Sequence, residues 1–221
     1  MTSVFVTGTD TEVGKTFISI GLIELFKQQG LNVAGMKPIA SGCEQTAEGL
    51  RNEDALALQQ HANVELDYEL INPYTFEPAI APHIAAQQTA TNIDINVLKN
   101  NYEKIQSQAD VVVVEGAGGW LVPLNEKQTL ADLAVELNLP VILVVGMRLG
   151  CINHALLSVA NIQQSGLPLL GWIANDLESS PQTEAMVQTL QQYINAPCLG
   201  VVPQLNSDQQ AMPFLNLATS N

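Results

Sequence analysis

The sequence predicts an α/β protein built on a doubly wound, mostly parallel sheet with helices on both faces, and three observations carry that expectation. Residues 4–16, VFVTGTDTEVGKT, run from an apolar β-branched stretch through a glycine-containing loop into an amphipathic segment, a strand, loop and helix in order. Residues 111–114 and 141–145 are apolar at consecutive positions, the pattern of strands covered on both faces by helices. Segments of helical period separate these runs and are long enough to bring the chain back parallel to itself.

After the first loop, Ile18, Leu22, Leu25 and Phe26 share one helical face, and Gly30 supplies a stop. Residues 32–37 read as a second strand closed by Pro38, which leaves Lys37 at a strand end. Residues 41–52 are polar, and Glu53 and Asp54 then open a short helix with acids in its first turn, where the helix dipole favours them. Residues 67–88 carry Pro73, Pro78 and Pro82 without a clear period and read as a long functional loop with short helical pieces. Asp94 caps a helix whose Ile95, Leu98, Tyr102 and Ile105 lie on one face. The strand 111–114 ends in Glu115 and a glycine-rich loop reaching Gly119, and Thr129 caps a helix that Pro140 closes. Beyond the strand 141–145, Gly150 precedes a helix over about 152–164. Residues 170–174 form a strand ending at Asn175 and Asp176, Ser180-Pro181 opens a helix, and residues 198–202 are the last strand. No linker, repeat or low-complexity tract interrupts the 221 residues, so one domain is expected.

The net charge of −14, from 22 acidic residues against eight lysines and arginines, opposes nucleic acid and anionic membrane as partners. Lysines beside an expected phosphate, Lys15 and Lys37, therefore stand out. Cys43, Cys151 and Cys198 form no C-x-x-C pair, which argues against a disulfide framework or a structural zinc and for a reducing cytoplasm. No basic segment followed by an apolar stretch opens the chain, and its longest strongly apolar run is far short of the ~20 residues that span a bilayer.

The loop 8–16 has the parts of a phosphate cradle. Gly14 lets backbone N–H groups turn inward around an oxyanion, Lys15 reaches β and γ phosphates, and the Thr16 hydroxyl is a Mg2+ ligand. Its spacing departs from the common rule, because Gly8 stands six residues before Gly14 and Thr9 holds the usual glycine place. Glu115 at the end of a buried strand is either the acid that holds Mg2+ or a cap on the loop after it. Asp54 is either a second metal ligand or a dipole-stabilising acid. Lys37 suits charge neutralisation on a transferring phosphoryl group, and a solvated strand-end lysine is the alternative. Asn175 offers a donor and an acceptor to an adenine edge or closes a turn, and Gly150 presents free helix N–H groups to a carboxylate or is a plain strand–helix turn. His61, His83 and His154 show no ligand spacing. Gly8 to Thr16, Lys37, Glu115 and Asn175 all follow strand ends, where an open α/β sheet gathers its ligands.

In these blocks the chain resembles the dethiobiotin synthetase family, P-loop NTPase-like ligases of biotin synthesis. GTDTEVGKT (8–16), GMKPIASG (35–42), GLRNEDALALQ (49–59), NPYTF (72–76), VEGAGGW (114–120), PVILVVG (140–146), LGCINHALL (149–157) and GWIAND (171–176) carry the resemblance in order, and the long loop spacing is that family's form. The resemblance implies ATP- and Mg2+-dependent closure of 7,8-diaminononanoate (7,8-diaminopelargonate) with CO2 to dethiobiotin, ADP and phosphate, through a carbamate and its anhydride with phosphate. It implies that Glu12, Val13, Gly14, Lys15, Thr16 and Phe17 hold the ATP phosphates, and that Thr11 and Lys37 steady the carbamate and phosphoryl group. Thr16, Asp54 and Glu115 would hold Mg2+, and Gly116, Ala117 and Gly118 would border the nucleotide. Asn175 and Asp176 would meet adenine, and Pro203, Gln204 and Leu205 the base and ribose, with Gln210 in an uncertain register beyond them. Ser41 would touch the diamine, and Gly150, Cys151, Ile152 and Asn153 of the opposite chain of a homodimer would hold its carboxylate tail. A partner-binding ATPase of the cell-division type has the same kind of loop but usually with an added lysine near its start, which Gly8-Thr9-Asp10 lacks.

Overall fold

The computed structural model describes residues 3–206 and 209–217. Strand β1 (Val4–Gly8) leads through the glycine loop into α1 (Lys15–Gln28), and β2 (Val33–Met36) follows. Three short strands, β3 (Ile39–Ser41), β4 (Glu44–Thr46) and β5 (Gly49–Arg51), come before α2 (Glu53–His61), α3 (Tyr68–Ile71), β6 (Tyr74–Phe76) and α4 (Pro82–Gln88). The chain continues through α5 (Ile95–Gln106), β7 (Val111–Gly119), α6 (Leu130–Leu137), β8 (Val141–Met147) and α7 (Cys151–Gln164). It closes with β9 (Leu169–Asp176), α8 (Thr183–Tyr193), β10 (Cys198–Val202) and a 3-10 turn, Met212–Phe214.

Six strands form one sheet in the order β10-β9-β8-β1-β7-β2, and every neighbouring pair is parallel. The consecutive valines explain how both faces are filled. With a period of two, Phe5, Val112, Val114, Leu143 and Val145 face one side, and Val4, Val6, Val111, Val113, Ile142 and Val144 the other. The first set packs on α5, α6, α7 and α8, and the second on Ile18, Leu22, Ile23 and Phe26 of α1 and on Leu58 of α2. Strand order reverses at β1, so the crevice beyond its carboxyl end is where the topology invites a ligand. Gly35 serves that crevice indirectly: a Cβ there would lie 2.7 Å from Cβ of Leu58, so only glycine lets α2 lie this close to β2.

The structure corrects four expectations. Residues 67–88 contain the expected helical pieces, but also β6, paired in parallel with β3 from Ile39↔Tyr74 to Ser41↔Phe76. The polar stretch after Ser41 holds an antiparallel β4–β5 hairpin. The glycine-rich segment after Glu115 is not a loop: β7 runs on to Gly119, which pairs with Gly8. The last helix begins at Thr183, because Asp176 Oδ1 accepts the Ser180 N–H and holds Pro181 in a turn. Among the described residues, no helix is long and apolar enough to cross a membrane.

Candidate active site

The loop between β1 and α1 has its cradle built into the backbone. Glu12 and Gly14 both adopt positive φ, 58° and 84°, an alternation that aims successive N–H groups toward one side. Gly14 could not be another residue here, since a Cβ would lie 2.2 Å from Nδ2 of Asn175. That Asn175 amide, buried, donates to the Val13 carbonyl at 2.9 Å and so braces the loop from behind. Thr9 N–H donates to the Val144 carbonyl, and Lys15 Nζ donates to the Asp10 carbonyl at 2.9 Å. Asp10 in turn pairs with Arg148 from the end of β8.

Above the loop, Lys37 leaves the end of β2 and is 4% exposed. Its Nζ lies 2.6 Å from Oε1 of Glu115 and 2.8 Å from Oδ2 of Asp54, while the Thr16 hydroxyl donates to the same Glu115 oxygen at 2.8 Å. Three distant stretches of chain thus meet on one buried carboxylate. Burial alone would push the Lys37 ammonium down, but Glu115 and Asp54 together hold it above the ordinary lysine value. Burial likewise favours a neutral Asp54, and Lys37 outweighs it to hold that carboxyl below its usual range.

Lys15 behaves oppositely. Burial first, then repulsion from Lys37, lower it from 10.5 to about 8, against a smaller pull from Glu115, Asp54 and Asp10. Below about 8 the folded chain carries the cost of this buried charge, and the cost is relieved as pH rises from there to 10.5, where the unfolded lysine also loses its proton. An ATP tail restores the reason for the charge. ATP binding at pH 8.5 is therefore expected to take up a proton, and affinity to fall as pH rises above about 8. Calorimetry in buffers of differing ionisation enthalpy reads the uptake directly.

A cleft of about 790 Å³ joins these groups and is lined by Thr11, Glu12, Gly14, Lys15, Thr16, Phe17, Lys37, Ser41, Asp54, Glu115, Ala117 and Gly118. The sequence reading missed the opposite wall, Ala79, Ile80, Ala81 and Pro82, and also Ala40, Asn52 and Val122. Prolines 78 and 82 were the only signal that residues 79–82 form a fixed rim. Gly116 lies beneath the wall and offers its carbonyl to Lys37 Nζ at 3.5 Å.

Other expected residues lie outside the cleft. The Asp176 carboxylate is taken by the Thr183 hydroxyl and by the N–H groups of Glu178 and Ser180, so it closes a turn. Gln204 accepts a hydrogen bond from the Ser179 hydroxyl, and Pro203 and Gln210 are exposed. Gly150 has a φ of 95° at the start of α7, away from the cleft with Ile152 and Asn153. The Cys151 thiol is buried against the sulfur of Met186, 3.6 Å away, and its N–H donates to the Arg148 carbonyl at 3.0 Å.

The residues suit Mg2+ shared with phosphates. Oε2 of Glu115 is buried in the cleft without a hydrogen-bond partner, beside the Thr16 hydroxyl and Asp54, and an oxygen set of this kind is what such a Mg2+ takes from a protein. Among the described residues, no group of three or more His, Cys, Asp or Glu could hold a metal unaided. The γ oxygen of Ser41 is a second buried atom in the cleft with no partner.

A family model described as an AAA domain matches residues 2–211. The chain is 53% identical over 203 residues to the ATP-dependent dethiobiotin synthetase BioD of Cellvibrio japonicus, covering 91% of this chain and 89% of that one. It is 49% identical over 218 residues to BioD 1 of Escherichia coli strain K12, covering 97% of each. Among solved structures, the MinD cell division protein of Aquifex aeolicus is similar with a TM-score of 0.58 at 14% identity, over 93% of this chain and 83% of that one. A ParA family ATPase from Chlorobium tepidum gives 0.56 at 16% identity, over 92% and 84%. These two share the fold, and nothing about activity follows from them. Identity along nearly the full length of both relatives, by contrast, makes a single assignment: the chain belongs to the ATP-dependent dethiobiotin synthetase family.

Proposed function

We propose that this cleft performs the ATP- and Mg2+-dependent closure of 7,8-diaminononanoate with CO2 to dethiobiotin, and that the 221 residues work as one ligase domain. The observation that carries the proposal is Lys37 Nζ held between Glu115 and Asp54 directly above the phosphate loop. One amine takes up CO2 and becomes a carbamate. A carbamate oxygen then attacks the γ phosphorus and ADP leaves, and the second amine attacks the activated carbon to release phosphate and close the urea ring. All bonding electrons come from the substrates, so the protein supplies alignment and charge.

Lys15 and the N–H groups of Glu12 to Phe17 bind the phosphates. Thr16, Asp54 and Glu115 hold Mg2+, which when bound offsets the negative charge on the phosphoryl oxygens. Lys37 steadies the carbamate and the transferring group. Thr11 lines the same cleft, and its hydroxyl adds a donor for the same task. Ser41 Oγ, without a partner, is placed to meet an amine of the diamine. Asn175 retains a carbonyl oxygen for the adenine edge, with Pro203, Gln204 and Leu205 toward the ribose, and Gly116, Ala117 and Gly118 border the nucleotide.

The start of α7 supports a homodimer. Leu149 is fully exposed and Leu157 is 63% exposed, an apolar face that a second copy would cover. Gly150 to Asn153 of that copy would then receive the substrate carboxylate at the helix start, where the Cys151 N–H is already taken by the Arg148 carbonyl. The three cysteines are unpaired, in keeping with a cytoplasmic enzyme. The test is phosphate release with ATP, Mg2+, bicarbonate and the diamine omitted in turn. Release is expected only with all four, and turnover without the diamine or without bicarbonate would contradict the proposal.

A further inference from the structure

Asp54 and Lys37 stand on short elements that share no sheet, yet their charged ends meet at 2.8 Å. A buried relay behind the cleft accounts for that register. The Asn72 amide donates to the Lys37 carbonyl at 2.7 Å, and Lys37 N–H donates to the Ile71 carbonyl at 2.9 Å. Asn72 Oδ1 accepts from the Tyr68 hydroxyl at 2.9 Å, and that hydroxyl accepts the Asn52 N–H at 2.7 Å. Asn52 is the cap of α2, its side chain accepting the Ala55 N–H, and Asp54 sits in the same first turn. The circuit runs from the Lys37 backbone to the helix that carries Asp54 and returns through their side chains.

Asn72, Tyr68 and Asn52 are 2%, 6% and 8% exposed, so water is poorly placed to replace a lost partner. The Arg51 guanidinium covers the Tyr68 ring, 4.2 Å from its centroid. Neither Tyr68 nor Asn72 lines the cleft.

We infer that Tyr68 and Asn72 are positioning residues for the reaction: their hydrogen bonds set the distance between Lys37 and the metal-holding carboxylate of Asp54. The inference rests on the roles given to Lys37 and Asp54 above. Packing alone would be served by an apolar pair, whereas Phe at position 68 leaves a buried N–H and a buried carbonyl oxygen unpaired, and they can be satisfied only if α2 shifts.

Tyr68→Phe is expected to raise the half-saturating Mg2+ concentration about tenfold and lower kcat about tenfold, the usual scale for a residue that orients a metal ligand. KM for the diamine should stay within about twofold. Mn2+ binding in the presence of ADP, read by loss of the free-ion EPR signal, should weaken by the same factor without any turnover. Asn72→Asp keeps an acceptor for Tyr68 but cannot donate to the Lys37 carbonyl; it should shift the same quantities, and it decides the matter if Tyr68→Phe fails to fold. Leu190→Ala, a core truncation in α8, should lower Tm without moving the Mg2+ requirement. Asp54→Asn must raise that requirement; if it does not, the metal reading and this inference fall together. If Asp54→Asn raises it while Tyr68→Phe and Asn72→Asp do not, or if Leu190→Ala raises it equally, the positioning role alone is overturned.

Discussion

Replacing Lys37 by Ala is expected to lower kcat by about 10²–10³-fold, the scale on which one preorganised charge acts on a developing negative charge. The structure adds a cost that the sequence did not show. Glu115 is fully buried, and Lys37 is the only cation on it among the described residues. Truncating one partner of a buried pair removes about 3–5 kcal/mol. The variant is therefore expected to unfold at lower urea while keeping its circular dichroism spectrum and its ATP binding in buffer. Turnover within about threefold of the parent would remove Lys37 from the chemistry.

Gly14→Ala is expected to abolish tight ATP binding, with Kd raised on the order of 10²-fold from two separable costs. A side chain at φ 84° costs about 1–2 kcal/mol of backbone strain. The added Cβ, 2.2 Å from Asn175 Nδ2, also expels the amide that braces the Val13 carbonyl. Either relaxation turns the loop N–H groups away from their common focus. Calorimetric titration with ATP checks this, and an unchanged Kd would mean that the loop is not the phosphate site.

What the sequence disclosed follows from the range of the interactions involved. β1, β7 and β8 were legible because burial on both faces writes itself as unbroken apolar runs, and the cradle was legible because Gly14 marks a left-handed turn directly before Lys15 and Thr16. β3 and β6 were not, since each is three residues long and exists only through pairing with a partner some 35 positions away. Residues 116–119 look like a loop because glycines carry no strand preference, yet the chain returns to the ladder where Gly119 pairs with Gly8, past an irregularity at which Gly118 takes a φ of 63°.

Site residues divide in the same way. Lys15, Thr16, Lys37, Asp54 and Glu115 were identifiable by type and position, and the cleft brings them together. A carboxylate at a strand end has the same appearance whatever it meets, and Asp176 accepts hydrogen bonds from the turn that follows it and from Thr183. Asn175 was read as a partner for an adenine edge; its amide braces Val13, 162 residues away, and no local pattern encodes that contact.

The most direct measurement follows one oxygen. If a carbamate lies against the γ phosphate beneath Lys37, phosphate released from a reaction supplied with 18O-labelled bicarbonate and assayed before exchange with water must carry one labelled oxygen from CO2. Mass spectrometry of that phosphate should show a single label for each dethiobiotin formed. Unlabelled phosphate alongside dethiobiotin formation would mean that ATP does not activate the carbamate, and the cleft described here would need a different chemistry.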